Sequence, residues 1–197
     1  PRTSSAASDV YKRQRYRSEI FDENKLKINE NNFSYKNEEF KNIIMCTGIS
    51  EKKLNLFNEI KLNAVSGNSI FISSIIENNN IINKGINVLP IKKNIYHIGS
   101  TYYHSAEDEG PNELLNKTKN LIKDDIKLIN SRFGIRATSK DRRPIVGEHN
   151  KIKRLFIMNA MGSKGVSQAP YCSEKLFNYI NENKNLDKEI NIDRYRS

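Results

Sequence analysis

Two groups of residues in this 197-residue chain have the types and spacing to do chemistry. The first is Gly162-Ser163-Lys164-Gly165, which follows the apolar run Arg154 to Asn159 and opens an amphipathic stretch at Val166. Glycines at such a turn can take positive φ and bring the backbone close to a ligand. A helix that starts there presents free N–H groups and a partial positive charge, so the turn can hold an anion or a polarised carbonyl. A plain tight turn between strand and helix has the same spacing, and one Gly-x-x-Gly does not separate the two. The second group is Gly134-Ile135-Arg136, followed by Asp141, Pro144 and Gly147. An arginine near the end of a short apolar strand can grip a carboxylate through two parallel N–H bonds. It can equally form a structural ion pair, for instance with Asp141. Arg142 and Arg143 read as surface charges.

The remaining candidates carry less. His97, His104 and His149 are scattered, with no spacing that suggests a metal pair. Cys46 sits in an apolar strand and reads as a small buried thiol, while Cys172 on the last helix lacks an obvious base. The sequence holds no G-x-S-x-G, Walker loop or CxxC. The acidic run Glu107-Asp108-Glu109 lacks the alternating ligand pattern of an EF-hand and reads as a solvated loop.

The elements that must position these groups are legible from periodicity. Lys25 to Ile28 and Asn32 to Tyr35 read as a hairpin around Asn29–Asn31. Ile43-Ile44-Met45-Cys46, stopped by Thr47-Gly48, has the pattern of a strand buried on both faces, as in a parallel sheet. Glu51 to Ile60 reads as a short helix or loop. Ala64 to Ile76, Ile81 to Pro90 and Asn94 to Tyr103 are β-rich with no long helix between them, which predicts an antiparallel sheet. From Asn112 to Ile129 the apolar residues Leu114, Leu115, Leu121, Ile122, Ile126 and Ile129 recur at helical spacing behind Pro111. Phe133 to Thr138 is a short strand, Lys140 to Gly147 a turn, and Arg154 to Asn159 another buried strand. A helix follows from Val166 to about Asn181, and the stretch from Asn183 to Ser197 is polar.

Composition bounds the rest. The chain carries a net charge of +10, with two cysteines, no tryptophan and no apolar run approaching a membrane span. The two cysteines rule out a disulfide scaffold and fit a reducing, cytoplasmic setting. Asn, Ile and Lys make up 75 of the 197 residues, all encoded by A/T-rich codons, so the lysine excess reflects coding composition as readily as a binding surface. Residues 1–14 (PRTSSAASDVYKRQ) break that pattern and read as a non-native leader that contributes +2 to the net charge. The chain begins without Met, and both features suggest a C-terminal fragment.

In order along the chain, NIIMCTG (42–48), NAVSGNSIFI (63–72), IYHIGSTYY (95–103), GIRATSKDRRPIVG (134–147) and RLFIMNAMGSKGVSQAP (154–170) resemble the C-terminal half of FAD-dependent oxidoreductases of the D-amino-acid oxidase and glycine oxidase superfamily. The resemblance is strongest to the oxidoreductase half of bifunctional tRNA wobble-uridine modification enzymes. Their turn reads Gly-Ser-Arg-Gly followed by Ser-Ala-Pro. Here Lys164 replaces the arginine and one extra residue precedes Ala169, departures that keep a stand-alone glycine-oxidase-like enzyme as an alternative.

The resemblance implies an α/β fold, an incomplete Rossmann-like FAD-binding domain interleaved with a mostly antiparallel substrate-domain sheet. Residues 15–57 would end the substrate-domain hairpin and return to the FAD domain. Residues 58–133 would form the substrate domain, 134–182 the C-terminal part of the FAD domain, and 183–197 a polar tail. It implies FAD as cofactor, contacted by Thr47, Gly48, Gly162, Ser163, Lys164, Gly165 and Val166, and a carboxylate held by Arg136. The G-x-G-x-x-G fingerprint that holds the FAD pyrophosphate is absent from the sequence. The implied chemistry is oxidation of a glycine-like secondary amine by hydride transfer to flavin, with no dedicated catalytic acid or base. The substrate would be the carboxymethylaminomethyl group of a tRNA wobble uridine or a small free amino acid, and no membrane is involved. An inactive fragment or a non-enzymatic basic binding module is the reading from another class.

Overall fold

The computed structural model describes residues 14–75, 78–123 and 125–196, in two compact units, Pro1–Lys41 and Asn42–Ser197. Apart from Gln14, the leader read at residues 1–14 lies outside the described residues.

The N-terminal unit carries a three-stranded antiparallel sheet of β1 (Leu26–Ile28), β2 (Phe33–Tyr35) and β3 (Glu38–Phe40), in that order. The expected β1–β2 hairpin forms, with Ile28 opposite Phe33. The two-residue turn Lys36-Asn37, with φ of 49° and 66°, adds β3. Two positive-φ residues make the turn whose twist suits a tight hairpin, so Phe40 belongs to β3 and not to the following strand.

The second unit holds β4 (Ile43–Met45), β5 (Asn63–Ser74), β6 (Ile82–Asn83), β7 (Asn87–Lys92), β8 (Ile95–Gly99), β9 (Ile126–Thr138), β10 (Ile145–Glu148) and β11 (Leu155–Asn159), with helices α1 (Asn112–Leu121) and α2 (Gly165–Glu182). Five strands form an antiparallel sheet in the order β6-β7-β8-β5-β9, and three form a mixed sheet, β10-β11-β4, in which β11 and β4 run parallel. The short helix or loop expected over Glu51–Ile60 is a 3-10 helix from Gly48 to Lys53 followed by irregular chain to Ile60.

Alternation along β5 sorts the five-stranded sheet into two faces. Ile70 and Ile72 point to one face, where they bury with Val88, Tyr96, Ile98 and α1 residue Leu114. Each such side chain contributes about 1.5–3 kcal/mol through burial. The opposite face carries Gly67, Ser69 and Phe71, paired across to Gly134, Arg132 and Asn130 on β9 and, for Ser69 and Phe71, to Gly99 and His97 on β8. Among the described residues no helix covers it, and apart from Phe71 the side chains just named are small or polar.

Three expectations are corrected. The helix predicted to Ile129 ends at Leu121, and Ile126 and Ile129 belong to β9. Ile122 and Ile126 pack on the same core as Leu115 and Leu121, so the apolar spacing runs unbroken across the helix–strand boundary and conceals it. The turn predicted over Lys140–Gly147 is confined to residues before Pro144, because Ile145 and Val146 are fully buried in β10. The strand predicted to be buried on both faces is not: Met45 is buried, but Ile44 is 46% exposed and Cys46 is also exposed. Among the described residues β4 pairs with β11 alone, so it is an edge strand.

The polar tail also folds. Asn183 caps α2 in the left-handed conformation, and the chain turns back to bury Leu186, Ile190 and Ile192. Val146 N–H donates to Ile190 C=O at 2.8 Å, tying the tail to β10. No helix among the described residues is long and apolar enough to cross a membrane.

Candidate functional site

Parallel strands β4 and β11 deliver two turns to one end of the mixed sheet, Thr47-Gly48 and Ala160–Gly162. The carboxyl ends of parallel strands are where ligands bind in open α/β sheets. Asn159 fastens the two turns together. Its side-chain N–H donates to Gly48 C=O at 3.0 Å, and its Oδ1 accepts from Ala160 N–H at 2.7 Å. Gly48 takes φ +57° with no atom within 4 Å of where a Cβ would stand, leaving an open approach to its backbone. The Thr47 hydroxyl donates to the Glu51 carboxylate, so that side chain is engaged in the turn itself.

At the second turn Gly162 takes φ +54°, and a Cβ there would lie 2.9 Å from Thr138 Cγ2. Gly165 does not use its freedom: with φ −54° it is already helical. No side chain caps the start of α2, whose N-cap is Lys164, so the first-turn N–H groups are free of side-chain acceptors. Gly162, Ser163 and Lys164 line a cavity of about 150 Å³ together with Tyr102, Thr138 and Arg142. Val166 is 96% exposed and does not line that cavity.

Arg136 stands two residues before Thr138 on β9, and Thr138 forms an antiparallel bridge with Met161. The strand thus carries the arginine directly to the glycine turn. One guanidinium nitrogen donates to Ser66 C=O at 3.3 Å and another to Ser100 Oγ at 2.8 Å. The group lies 5.6 Å from the Tyr102 ring centroid. Gly67 makes room for it: a Cβ at that position would stand 2.7 Å from Arg136 Nη1 and 2.2 Å from the Thr101 carbonyl oxygen. The ion pair with Asp141 considered from sequence does not form. Asp141 binds Arg194 instead, at 2.9 Å, and among the described residues Arg136 has no carboxylate partner.

A larger cleft of about 580 Å³ adjoins the turn, lined by Lys52, Asn63, Val65, Tyr102, His104, Thr138, Lys140 and Arg142 among others. Arg142, read from sequence as a surface charge, adopts φ 58° and lines both this cleft and the smaller cavity. A third cavity of about 370 Å³ lies on the open sheet face, with Arg136, Arg132, His97, Ser69 and Ser100 in its wall. Burial and the nearby Arg132 charge hold the His97 imidazole below its ordinary pKa. Sequence reasoning did not single out Arg132 and dismissed His97. Counting back in twos from Arg136, the period of a strand, is the signal that places Arg132 beside it.

A family profile described as FAD dependent oxidoreductase (DAO) matches residues 13–178. The chain belongs to the FAD-dependent oxidoreductase family. A 56-residue stretch is 41% identical to the tRNA 5-methylaminomethyl-2-thiouridine biosynthesis bifunctional protein MnmC of Psychrobacter cryohalolentis, covering 28% of this chain and 8% of that protein. Among solved structures, glycine oxidase from Bacillus cereus matches with TM-score 0.65 and 17% identity over 81% of this chain and 48% of its own. Iminodiacetate oxidase from Chelativorans matches with TM-score 0.66 and 17% identity over 86% of this chain and 51% of its own. L-amino acid deaminase from Proteus vulgaris matches with TM-score 0.66 and 18% identity over 86% of this chain and 48% of its own. This member of the family therefore spans about half the length of the solved chains it matches, with the same α/β fold. The mixed sheet and the mostly separate antiparallel sheet give the α/β class that the sequence resemblance implied.

Proposed function

We propose that this chain is the substrate-binding side of an FAD-dependent amine oxidoreductase acting on a glycine-like secondary amine, the carboxymethylaminomethyl group of a tRNA wobble uridine. The observation that carries the reading is Arg136. Among the described residues it is a guanidinium without a carboxylate partner, fixed by Ser66 C=O and Ser100 Oγ, one bridge away from an uncapped helix N-terminus. A guanidinium so placed matches a carboxylate bidentately and sets the position of whatever is attached to it. The solved relatives are named for glycine, iminodiacetate and L-amino acids, all amines that carry a carboxylate. The 41% match to MnmC supports tRNA as the bearer of that amine.

The residues at the turn fit a flavin. The turn from Gly162 to Val166, in which the Lys164 N–H is already bonded to Met161 C=O, leads into the positive end of α2, which suits the acceptor-rich pyrimidine edge of the ring, where negative charge would grow on reduction. Ser163 and Lys164 line the same cavity, and Gly48 leaves its backbone open from β4. When bound, FAD supplies the electron acceptor for amine oxidation. The chain's own residues supply positioning: Arg136 anchors the carboxylate, and Tyr102 and Thr138 wall the space between it and the turn.

The test is an anaerobic titration of the gene's full-length product. The reading expects bound flavin, bleached by RNA bearing carboxymethylaminomethyl-uridine faster than by free glycine. Flavin bleached by glycine and not by the RNA would replace it with the glycine-oxidase-like alternative, which the solved relatives favour. A product that purifies without flavin would sink both.

A further inference from the structure

On the open face of the five-stranded sheet, β9 presents a second arginine. Arg132, Gly134 and Arg136 alternate to the same side, opposite Ser69, Gly67 and Val65 of β5. Four residues of strand separate the two arginines by roughly 13 Å. The floor between them is bare, because nothing lies within 4 Å of where a Gly134 Cβ would stand. Arg132 and Arg136 both line the same cavity of about 370 Å³. The Arg132 guanidinium lies 4.8 Å from the Phe71 ring centroid, and that ring is 4.7 Å from His97. Stacking on a ring face holds a guanidinium flat and leaves its N–H edge free to bind an anion. Among the described residues no carboxylate pairs with Arg132.

We propose that Arg132, held against Phe71, is a second anion subsite that takes the phosphate of the nucleotide whose base carries the amine anchored by Arg136. The inference rests on the proposed tRNA reading for the identity of the anion. A free amino acid such as glycine has one carboxylate and cannot reach both arginines. In a carboxymethylaminomethyl-uridine nucleotide, the side arm, the pyrimidine ring and the ribose separate carboxylate from phosphate, which is the scale of the gap. The bare floor at Gly134, midway between the two arginines, leaves room for the planar base.

The subsite is tested on the chain as it exists by NMR titration at fixed ionic strength, comparing uridine 5′-monophosphate with uridine. The nucleotide should bind about tenfold more tightly and shift the His97 resonances, the scale of one charge-assisted pair. Arg132→Gln should abolish that preference, and Arg132→Lys should keep part of it, with thermal melts confirming that each variant is folded. Equal binding of the two ligands to the wild type, or a phosphate preference that survives Arg132→Gln, overturns the subsite. The two readings fail separately. Phosphate-dependent binding at Arg132 in a protein whose flavin-loaded form oxidises only free glycine removes tRNA and leaves the subsite. Oxidation of the RNA with KM unchanged in Arg132→Gln removes the subsite and leaves tRNA.

Discussion

Arg194 Nε lies 2.9 Å from Asp141 Oδ2, joining the C-terminal segment to the turn that follows β9. The same guanidinium donates to Pro144 C=O at 2.7 Å and to Asn191 C=O at 2.9 Å, while Tyr195 donates its hydroxyl to Asp141 Oδ1 at 2.9 Å. Partial burial raises the Asp141 pKa, but the bonds from Arg194, Ser139, Tyr195 and the Arg143 N–H outweigh it and hold the carboxyl well below the usual range. A carboxylate depressed in the folded state stabilises the fold above its unfolded pKa of about 4 and loses that contribution as pH falls. Asp141→Asn should therefore lower Tm at pH 6, and the gap to wild type should begin to narrow below about pH 4 and keep narrowing as the pH falls further. The loss should fall at the low end of about 1–3 kcal/mol, because the Asp141 side chain remains 37% exposed and water screens the pair. A gap that stays constant down to pH 2 would show that the charge of Asp141 is not what the fold uses.

Gly162 is constrained twice, by φ +54° and by Thr138 Cγ2 standing 2.9 Å from where a Cβ would be. Gly162→Ala should cost about 1–3 kcal/mol from the left-handed backbone alone, and more from the overlap. Thr138→Ser removes the offending methyl and keeps the hydroxyl that donates to Asn63 C=O at 3.2 Å. The double variant should recover part of the loss, so a double-mutant cycle on melting temperature separates overlap from backbone strain. Strictly additive effects would place the two residues out of contact.

Arg136→Gln removes the guanidinium while keeping length and hydrogen-bonding capacity. In the flavin-loaded full-length protein it should raise KM for a carboxylate-bearing amine by roughly tenfold to a hundredfold, the equivalent of about 1.5–3 kcal/mol for a charge-assisted pair. The methyl ester of the same amine, which lacks the charge, should show little difference between wild type and variant. Equal losses on acid and ester would mean that Arg136 shapes the pocket without binding the carboxylate.

Much of the five-stranded sheet was legible because β8 and the second half of β5 alternate buried with less buried residues, as half-buried strands do. What was not legible depends on partners distant in sequence. The boundary after Leu121 is hidden because Ile122 and Ile126 serve one core from either side of it. The exposure of Ile44 and Cys46 follows from β4 having a single neighbour, which no local pattern records. At the site, the Gly162 turn and Arg136 were readable from residue type and spacing. Arg132 and Arg142 were not, since an isolated arginine on a basic chain carries no signal until register or an unusual φ places it at a cavity. Arg194 lies 53 residues from Asp141, which makes their pairing a product of the tail's own burial.

That burial supplies the last prediction. Ile192 is 1% exposed, and its Cγ2 stands 2.4 Å from where a Cβ on Gly147 would be. Leu186 and Ile190 enter the core formed by Val146, Phe156, Cys172 and Leu176. Asn191 and Asp193 then begin the short turn that delivers Arg194 to Asp141. Ile192→Ala should cost about 2–5 kcal/mol, the range for truncating a buried isoleucine, whereas Lys188→Ala on the exposed side of the same segment should stay within about 0.5 kcal/mol. If the segment also seats the turn beneath Arg142 and Lys140, Ile192→Ala should speed amide exchange at Ser139 to Arg143 along with that of Val146. Hydrogen exchange confined to residues after Asn183 would show that the tail folds onto the sheet without supporting the turn.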